Sequence, residues 1–394
     1  MVWVSDGTGA RSFIHAQHAR ALTGPLDSEE LPLRTTLRNG RQVTILVNYR
    51  AGAVFLNDPR FSRAAATGHP PVGPASVVSV TELDPPRHTF VRSLLNRMFS
   101  FRTVAPLGPQ IRQRAVALIE DIKRAGPPAD LVKSFCTPFS LAVHFDLLGI
   151  PEHMRNPIQQ LMIERSGRPG LGATEIYEAE VALHLEVTKI LDFVRERGGA
   201  GIFAKLLTMQ ENGLIAKTEL AGIASTLLFD GPILASAQMS NAVLSLLTAP
   251  DQARLLASNL SFMNNAIEEL LRWCPSITLG MPRLACTSVD LDGISISNGE
   301  LAVVAFGAAN RDSVQFQRPD VLDISRHPNR HLSFGRGIHH CLGAHLVRLE
   351  LEMSLSTIFD MFPDISLACD EKEVRWTASH SVRRLPRLPV QWKP

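Results

Sequence analysis

Between Phe334 and His345 the chain reads FGRGIHHCLGAH. Gly335, Gly337 and Gly343 let the backbone bend tightly and approach a neighbour closely, where a side chain would intrude. Cys341 stands just before LGAHLVRLELEMSLSTIF, an apolar–polar pattern of helical period. A thiolate near neutral pH needs positive potential around it, and free N–H groups at a helix start supply some. The stretch is suited to presenting one sulfur as a metal ligand with a flat group above it. Three other readings compete. Zinc would use His339, His340 and Cys341, but adjacent residues point in different directions and no second ligand pair has zinc spacing. A nucleophilic cysteine would need a histidine base. A buried structural cysteine leaves the glycines and Arg336 unexplained.

The chain around this loop has 394 residues, 45% hydrophobic and 20% charged, enough for a sizeable core. A net charge of +2 forces no polyelectrolyte partner, so neither nucleic acid nor a membrane surface is expected. Five cysteines with no CxxC pair suit a reducing compartment. The N-terminus shows no apolar segment of signal or membrane length, so a cytoplasmic protein is expected. Strand-like pieces such as RQVTILVNYR fall in the first ~80 residues. From Asp84 to about Leu271 helical periodicity dominates, as in IRQRAVALIEDIKRA and NNAIEELLRW. VDLDGISISNGELAVV is β-like again, and VRRLPRLPVQW is extended and proline-punctuated. The expected fold is mainly α with small β sheets, in a single domain spanning 1–394.

The run Phe334-Gly335-x-Gly337-x-His339-x-Cys341-Leu342-Gly343 resembles the haem-binding loop of the cytochrome P-450 family, in which a Cys thiolate is the proximal ligand of haem iron. The resemblance implies that fold, haem b (iron protoporphyrin IX) as cofactor, and Cys341 as the iron ligand, with Phe334, Gly335 and Gly343 shaping its loop. Glu269-Leu270-Leu271-Arg272 is similar to the family's ExxR pair, and Arg326 stands where the third member of that ion-pair network lies. In isolation an i,i+3 pair of this kind is often only a solvated helix pair. DPPRHTFVR places His88 and Arg92 four apart on one helix face; with Arg283 and His331 they match the family's propionate contacts.

One departure bears on chemistry. The family's distal helix carries a small residue, glycine, a variable residue, an acid and one or two threonines, and the acid–alcohol pair relays protons for dioxygen cleavage. Here the segment reads STLLFDGPILASAQMSNAVLSLL. Aligned on Gly231, Asp230 takes the small-residue position, Ile233 the acid's, and Leu234 and Ala235 the alcohols'. None of those three side chains donates a proton, and general acid–base delivery is typically worth about 10²–10⁴-fold. Asp230, nearly on the face of Ile233, is the first candidate to relay protons or hold a substrate N–H. Ser236 is the second, although mid-helix serines commonly bond back to the backbone.

Loss of the pair occurs in family members whose substrates supply their own protons and in members that couple radicals. GMPRLACTSVDLDG, HLSFGRGIHHC and RRLPRLPVQW are similar to members that process cyclodipeptides, mycocyclosin synthase among them. By that resemblance the pocket draws on 68–81, 161–171, Gly231 to Ala235, SITLGM with Ile277 and Thr278, and a tip formed by His380 and Val382. Val382 replaces an expected substrate-contacting arginine. A small, neutral aromatic substrate is implied, such as a Trp- or Tyr-containing diketopiperazine. The implied reaction is C–C or C–N coupling or dimerisation, with plain hydroxylation as the alternative. Arg330, Arg336, His340 and Arg348 would steer an acidic donor, a ferredoxin with its reductase or a flavodoxin.

Overall fold

A computed structural model gives the fold and describes residues 4–5, 11–12, 33–36, 41–67, 79–167, 173–377 and 381–393. The chain is mainly helical, with small sheets, as its periodicity leads one to expect. The helices that matter for the site are α1 (Tyr49–Asn57), α2 (Arg87–Met98), α3 (Gly108–Ala125), α4 (Thr137–Leu148), α5 (Glu152–Gly167), α6 (Ala173–Arg197), α7 (Gly201–Glu211), α8 (Lys217–Leu247), α9 (Met263–Trp273) and α10 (Ala344–Met361).

Helix α8 organises the rest. Its polar residues are few, and from Gly222 to Leu246 most positions are buried, the signature of a helix surrounded on nearly all sides. It is long and apolar enough to cross a membrane, yet most of it lies inside the protein. Helices α3, α4, α9 and α10 pack around it in one apolar cluster that includes Ile111, Ile119, Phe139, Met239, Leu270, Leu351 and Trp392. A second cluster joins α2, α6 and α7 to its first half through Val91, Leu95, Val187, Phe203 and Leu228. Each such fully buried side chain contributes about 1.5–3 kcal/mol.

Of the early strands, Val4–Ser5 and Arg11–Ser12 pair only with each other, while the next three do not stand apart. β1 (Leu33–Thr36), β2 (Gln42–Leu46) and β3 (Phe61–Ser62) share a five-stranded sheet with strands from the second half of the chain. After β4 (Ala129–Asp130) come β5 (Arg283–Ala285) and β6 (Leu301–Val304), and the sheet order is β1-β2-β6-β5-β3. β6 runs parallel to β2, with Leu301 opposite Val43 and Val304 opposite Leu46; the other pairs are antiparallel. The proline-rich end supplies β8 (Pro389–Gln391), which lies between β7 (Ser366–Leu367) and β4. Pro389 opens β8, the place in a strand where a missing N–H is tolerated.

Candidate active site

The cysteine loop closes on itself and is wedged between α1 and α2. The Cys341 N–H donates to the Phe334 carbonyl at 2.8 Å, and Gly335 and Gly337 have φ of 66° and 73°. A Cβ on Gly337 would lie 2.6 Å from the Leu56 carbonyl at the end of α1, so glycine is required there for conformation and for space. From α2, Arg92 donates to the His340 carbonyl. Gly343 is the N-cap of α10, and the Arg348 guanidinium stacks 4.6 Å from the Phe334 ring. Around the sulfur, burial dominates. It raises the Cys341 pKa, although the Gly343 N–H, Arg92 and Arg348 all favour the thiolate. The helix start alone therefore does not produce the thiolate that the sequence leads one to expect; a coordinating metal ion would, by deprotonating the thiol outright. Among the described residues no group of three His, Cys, Asp or Glu side chains could hold a metal ion, which leaves the zinc reading without a ligand set.

Beside the loop lies a crowd of buried cations. The His88 and His339 rings stack with centroids 4.3 Å apart. Arg283 is buried against Phe55 and donates to the Leu56 carbonyl at 3.0 Å; Arg63, also buried, donates to the Pro282 carbonyl. Burial, with His88, Arg283, Arg63 and Arg92 nearby, drives the His339 pKa down to about 3. Burial and Arg63 lower Arg283 to about 10. Both His88 ring nitrogens and His339 Nε2 are buried without a hydrogen-bond partner. Orphaned imidazole nitrogens beside two buried guanidiniums, with only Asp84 and Glu82 as anions acting on them, fit a dianionic group, as two haem propionates would be.

His331 is a different matter. Its Nε2 lies 3.3 Å from Glu268 Oε2, and its Nδ1 accepts from the Ser333 N–H at 3.2 Å. Burial would raise the Glu268 carboxyl, but Arg348 and His331 hold it at about 2. His331 thus stands beside an acid of α9, although its Nε2, like those of His88 and His339, is buried without a hydrogen bond; the histidine that meets His88 is His339. The glycine-framed motif already contained that residue, yet nothing local distinguished it from His331.

Behind the loop, α9 carries a fully buried ion pair. Arg272 Nε and Nη2 each donate to Glu269 at 2.7 Å, and Arg326 Nε reaches Glu269 Oε2 at 3.0 Å. The Asp323 N–H at 3.0 Å and Asn329 Nδ2 at 2.9 Å complete the carboxylate's shell. The network pins the loop-rich 310–330 stretch to α9. A cleft of about 310 Å³ opens nearby, lined by Glu268, Arg326, Asn329 and Arg348, and holds none of the distal-helix residues.

On α8 an accessible stripe interrupts the burial: Leu227, Asp230, Ile233 and Leu234, spaced three or four apart on one helix face. Asp230 is exposed, and the other three are half-buried. Ile233 packs in the same apolar cluster as Leu342, the neighbour of Cys341. Three expected members lie elsewhere. Ser236 is buried, with its Oγ 3.1 Å from Thr137 Oγ1 of α4, so its hydroxyl is committed away from the stripe. Gly231 faces α4 too; a Cβ there would come within 2.6 Å of His144 Nε2. Ala235, one turn on, is buried. Ile277 bridges Val382, and the Thr278 N–H donates to the Ser381 carbonyl at 3.0 Å, so the 276–278 turn and the chain end form one strand-like tip. His380 lies outside the described residues, as does most of 68–81. The arginine next to Val382, Arg383, stacks 4.0 Å over Trp376.

The family model "Cytochrome P-450" matches residues 206–381. Nocardicin C N-oxygenase of Nocardia uniformis subsp. tsuyamanensis is 32% identical over 93% of this chain and 94% of its own length. The crystal structure of HinD with NMFT and NO superposes with a TM-score of 0.87 at 35% identity, covering 96% of both chains. CxnD, described as forming a C–S bond in chuangxinmycin biosynthesis, gives a TM-score of 0.81 at 28% identity over 89% of this chain and 88% of its own. With its cysteine loop, its buried Glu–Arg pair and a full-length likeness of this degree, the chain belongs to the cytochrome P-450 family.

Proposed function

We propose that this haem b-dependent oxidase of bacterial secondary metabolism acts on a cyclodipeptide, a Trp- or Tyr-containing diketopiperazine, and joins C–C or C–N bonds in preference to inserting oxygen. The observation that carries the reading is the pair Ile233 and Leu234 on the accessible stripe of α8, apolar where the family's acid and first alcohol would stand. When bound, haem supplies the oxidising power, drawn from dioxygen and external electrons. The protein's part is positioning. Cys341 would ligate the iron, and His88, Arg92, Arg283 and His339 would hold the propionates. Ile233 and Leu234 of α8, with Ile277 and Val382 of the tip, would supply apolar walls that exclude water and offer a substrate no acidic hydrogen. Asp230, exposed on the stripe, would accept an N–H from a diketopiperazine amide. A neighbour described as a C–S bond-forming enzyme supports coupling as a chemistry this fold performs. Oxygen insertion is the second reading, favoured by the relative named an N-oxygenase; protons would then come from the substrate or from Asp230.

Electrons would come from a ferredoxin with its reductase or a flavodoxin, in the cytoplasm. Arg330, Arg336 and His340 are exposed on the cysteine side and suit an acidic partner. Arg348 contributes less charge than its sequence position implies, because Glu268 holds it in a bidentate pair at 2.6 and 2.9 Å.

A panel of cyclodipeptides titrated into the haem-loaded enzyme tests the reading. A Trp- or Tyr-containing member is expected to shift the iron from low to high spin, and its product to show a loss of two hydrogens or a dimer mass. No shift with any aromatic member, or a gain of one oxygen only, counts against it. Asp230→Asn should weaken the spin-shift affinity about tenfold, the worth of one hydrogen bond to a charged acceptor; an unchanged affinity removes Asp230 from the site.

A further inference from the structure

Helices α4, α8 and α10 enclose an ionisable pair that the site above does not use. His144 of α4 and Glu350 of α10 are 5% and 1% exposed. His144 Nδ1 lies 2.9 Å from the Ser140 carbonyl and 3.3 Å from Glu350 Oε1. Neither Glu350 oxygen makes a hydrogen bond, and the Ser140 hydroxyl is also buried without one. A carboxylate so poorly satisfied is a costly way to fill a core, and an apolar side chain of similar volume would pack there with less penalty.

The other edge of the ring meets α8 at Gly231. A Cβ at that position would lie 2.6 Å from Nε2 and 2.8 Å from Cδ2, so only glycine lets the imidazole seat against the helix backbone. The next residue, Pro232, has no N–H and leaves the Leu228 carbonyl without its helical donor. On the same turn Asp230 is exposed, and Ile233 follows. The ring edge and the accessible stripe are thus separated by one turn of helix whose hydrogen bonding is already interrupted.

We propose that His144 and Glu350 form a buried proton store that serves the distal side of α8 through the break at Gly231 and Pro232. This inference rests on family membership and on α8, and is independent of the substrate. The proton leaves Nε2 for a water in the break, Nδ1–H stays with Ser140 and Glu350, and the ring reloads from solvent hydronium; no electrons move. The charge state suits the task. Burial would lower the ring's pKa, but Glu350 and the Ser140 carbonyl outweigh it and raise it. Few other charges face the ring. From α8 the contact is Gly231, with Asp230 exposed. On α4, Asp146 is held by Arg114 of α3 and Arg155 of α5. From α7 the buried residues are apolar, among them Ile202 and Phe203.

The test uses haem-loaded enzyme with labelled histidine, the His144 resonance being assigned by its loss in His144→Gln. The ring is expected to titrate above the ordinary value of about 6.5 in the native chain and below it in Glu350→Gln. Substrate is not needed for the second readout, hydrogen peroxide released during reduction by a surrogate ferredoxin and reductase. His144→Gln should slow it about a hundredfold, at the low end of general acid–base effects, and enlarge its solvent isotope effect. A purely structural pair would leave both unchanged. If Glu350→Gln does not fold, the titration of the native ring and the His144→Gln peroxide rate decide. A ring that is neutral from about pH 5.5 to 8, or an unaltered peroxide rate, overturns the proposal.

Discussion

Cys341→Ser is expected to leave the chain folded and to abolish its oxidase activity. The loop does not depend on the sulfur for its shape. Its closing hydrogen bond comes from the Cys341 N–H, and its two turns come from glycines at φ of 66° and 73°. Serine preserves all of these and is nearly isosteric with cysteine, so the exchange should cost about 1 kcal/mol, the centre of the range for single substitutions. What is lost is electronic. A hydroxyl is neither soft nor readily deprotonated, so it cannot replace a thiolate that pushes electron density onto iron. The ferrous carbonyl complex should therefore lose its thiolate-type Soret band and turnover should fall to background, while the thermal midpoint moves by only about 1 °C. Haem content gives an independent reading, since His88, Arg92, Arg283 and His339 would still hold the propionates. A variant that kept the thiolate-type band would place another sulfur on the iron and overturn the site.

The same loop shows how far the sequence can be read. Its glycines, its cysteine and the helix that follows are local features, and local features survive folding: Gly337 has a positive φ and a neighbour that would collide with any Cβ. The Glu269–Arg272 pair was visible because both residues sit one turn apart on one helix. What could not be read was which distant element each side chain meets. His331 and His339 are equally plausible anion partners in the linear chain, but folding brings the first to 3.3 Å from Glu268 of α9 and stacks the second on His88. Ser236 and Gly231 both lie on α8, yet their azimuth depends on where α4 packs, and α4 takes both. Electrostatic balance was the least legible. A cysteine before a helix N-terminus between two arginines suggests a lowered pKa, but desolvation by the surrounding fold reverses the sign.

The most destabilising single substitution should be Arg272→Ala. Arg272 and Glu269 are both fully buried, and the guanidinium engages the carboxylate through two atoms at 2.7 Å. Its third nitrogen donates to the Asn310 and Pro319 carbonyls at 2.9 and 2.8 Å. Removing it strands a desolvated carboxylate and frees two buried carbonyls at once. Breaking a buried pair in this way typically costs about 3–5 kcal/mol, a large part of the about 5–15 kcal/mol that holds a typical protein together. Arg326 and Asn329 remain on Glu269 Oε2 and keep the loss from being total. Arg272→Lys should recover little, because an ammonium cannot span both carboxylate oxygens and the two carbonyls with one rigid fork. Glu269→Gln should cost a comparable amount for the opposite reason, leaving Arg272 and Arg326 facing each other without an anion. Urea unfolding of the three variants measures these losses, and a double-mutant cycle on Glu269 and Arg272 should return a coupling at the upper end of the 0.5–3 kcal/mol seen for contacting residues. Single losses below about 1 kcal/mol would mean that the pair is solvated, as an exposed i,i+3 pair would be, and that the 310–330 stretch is held by other contacts.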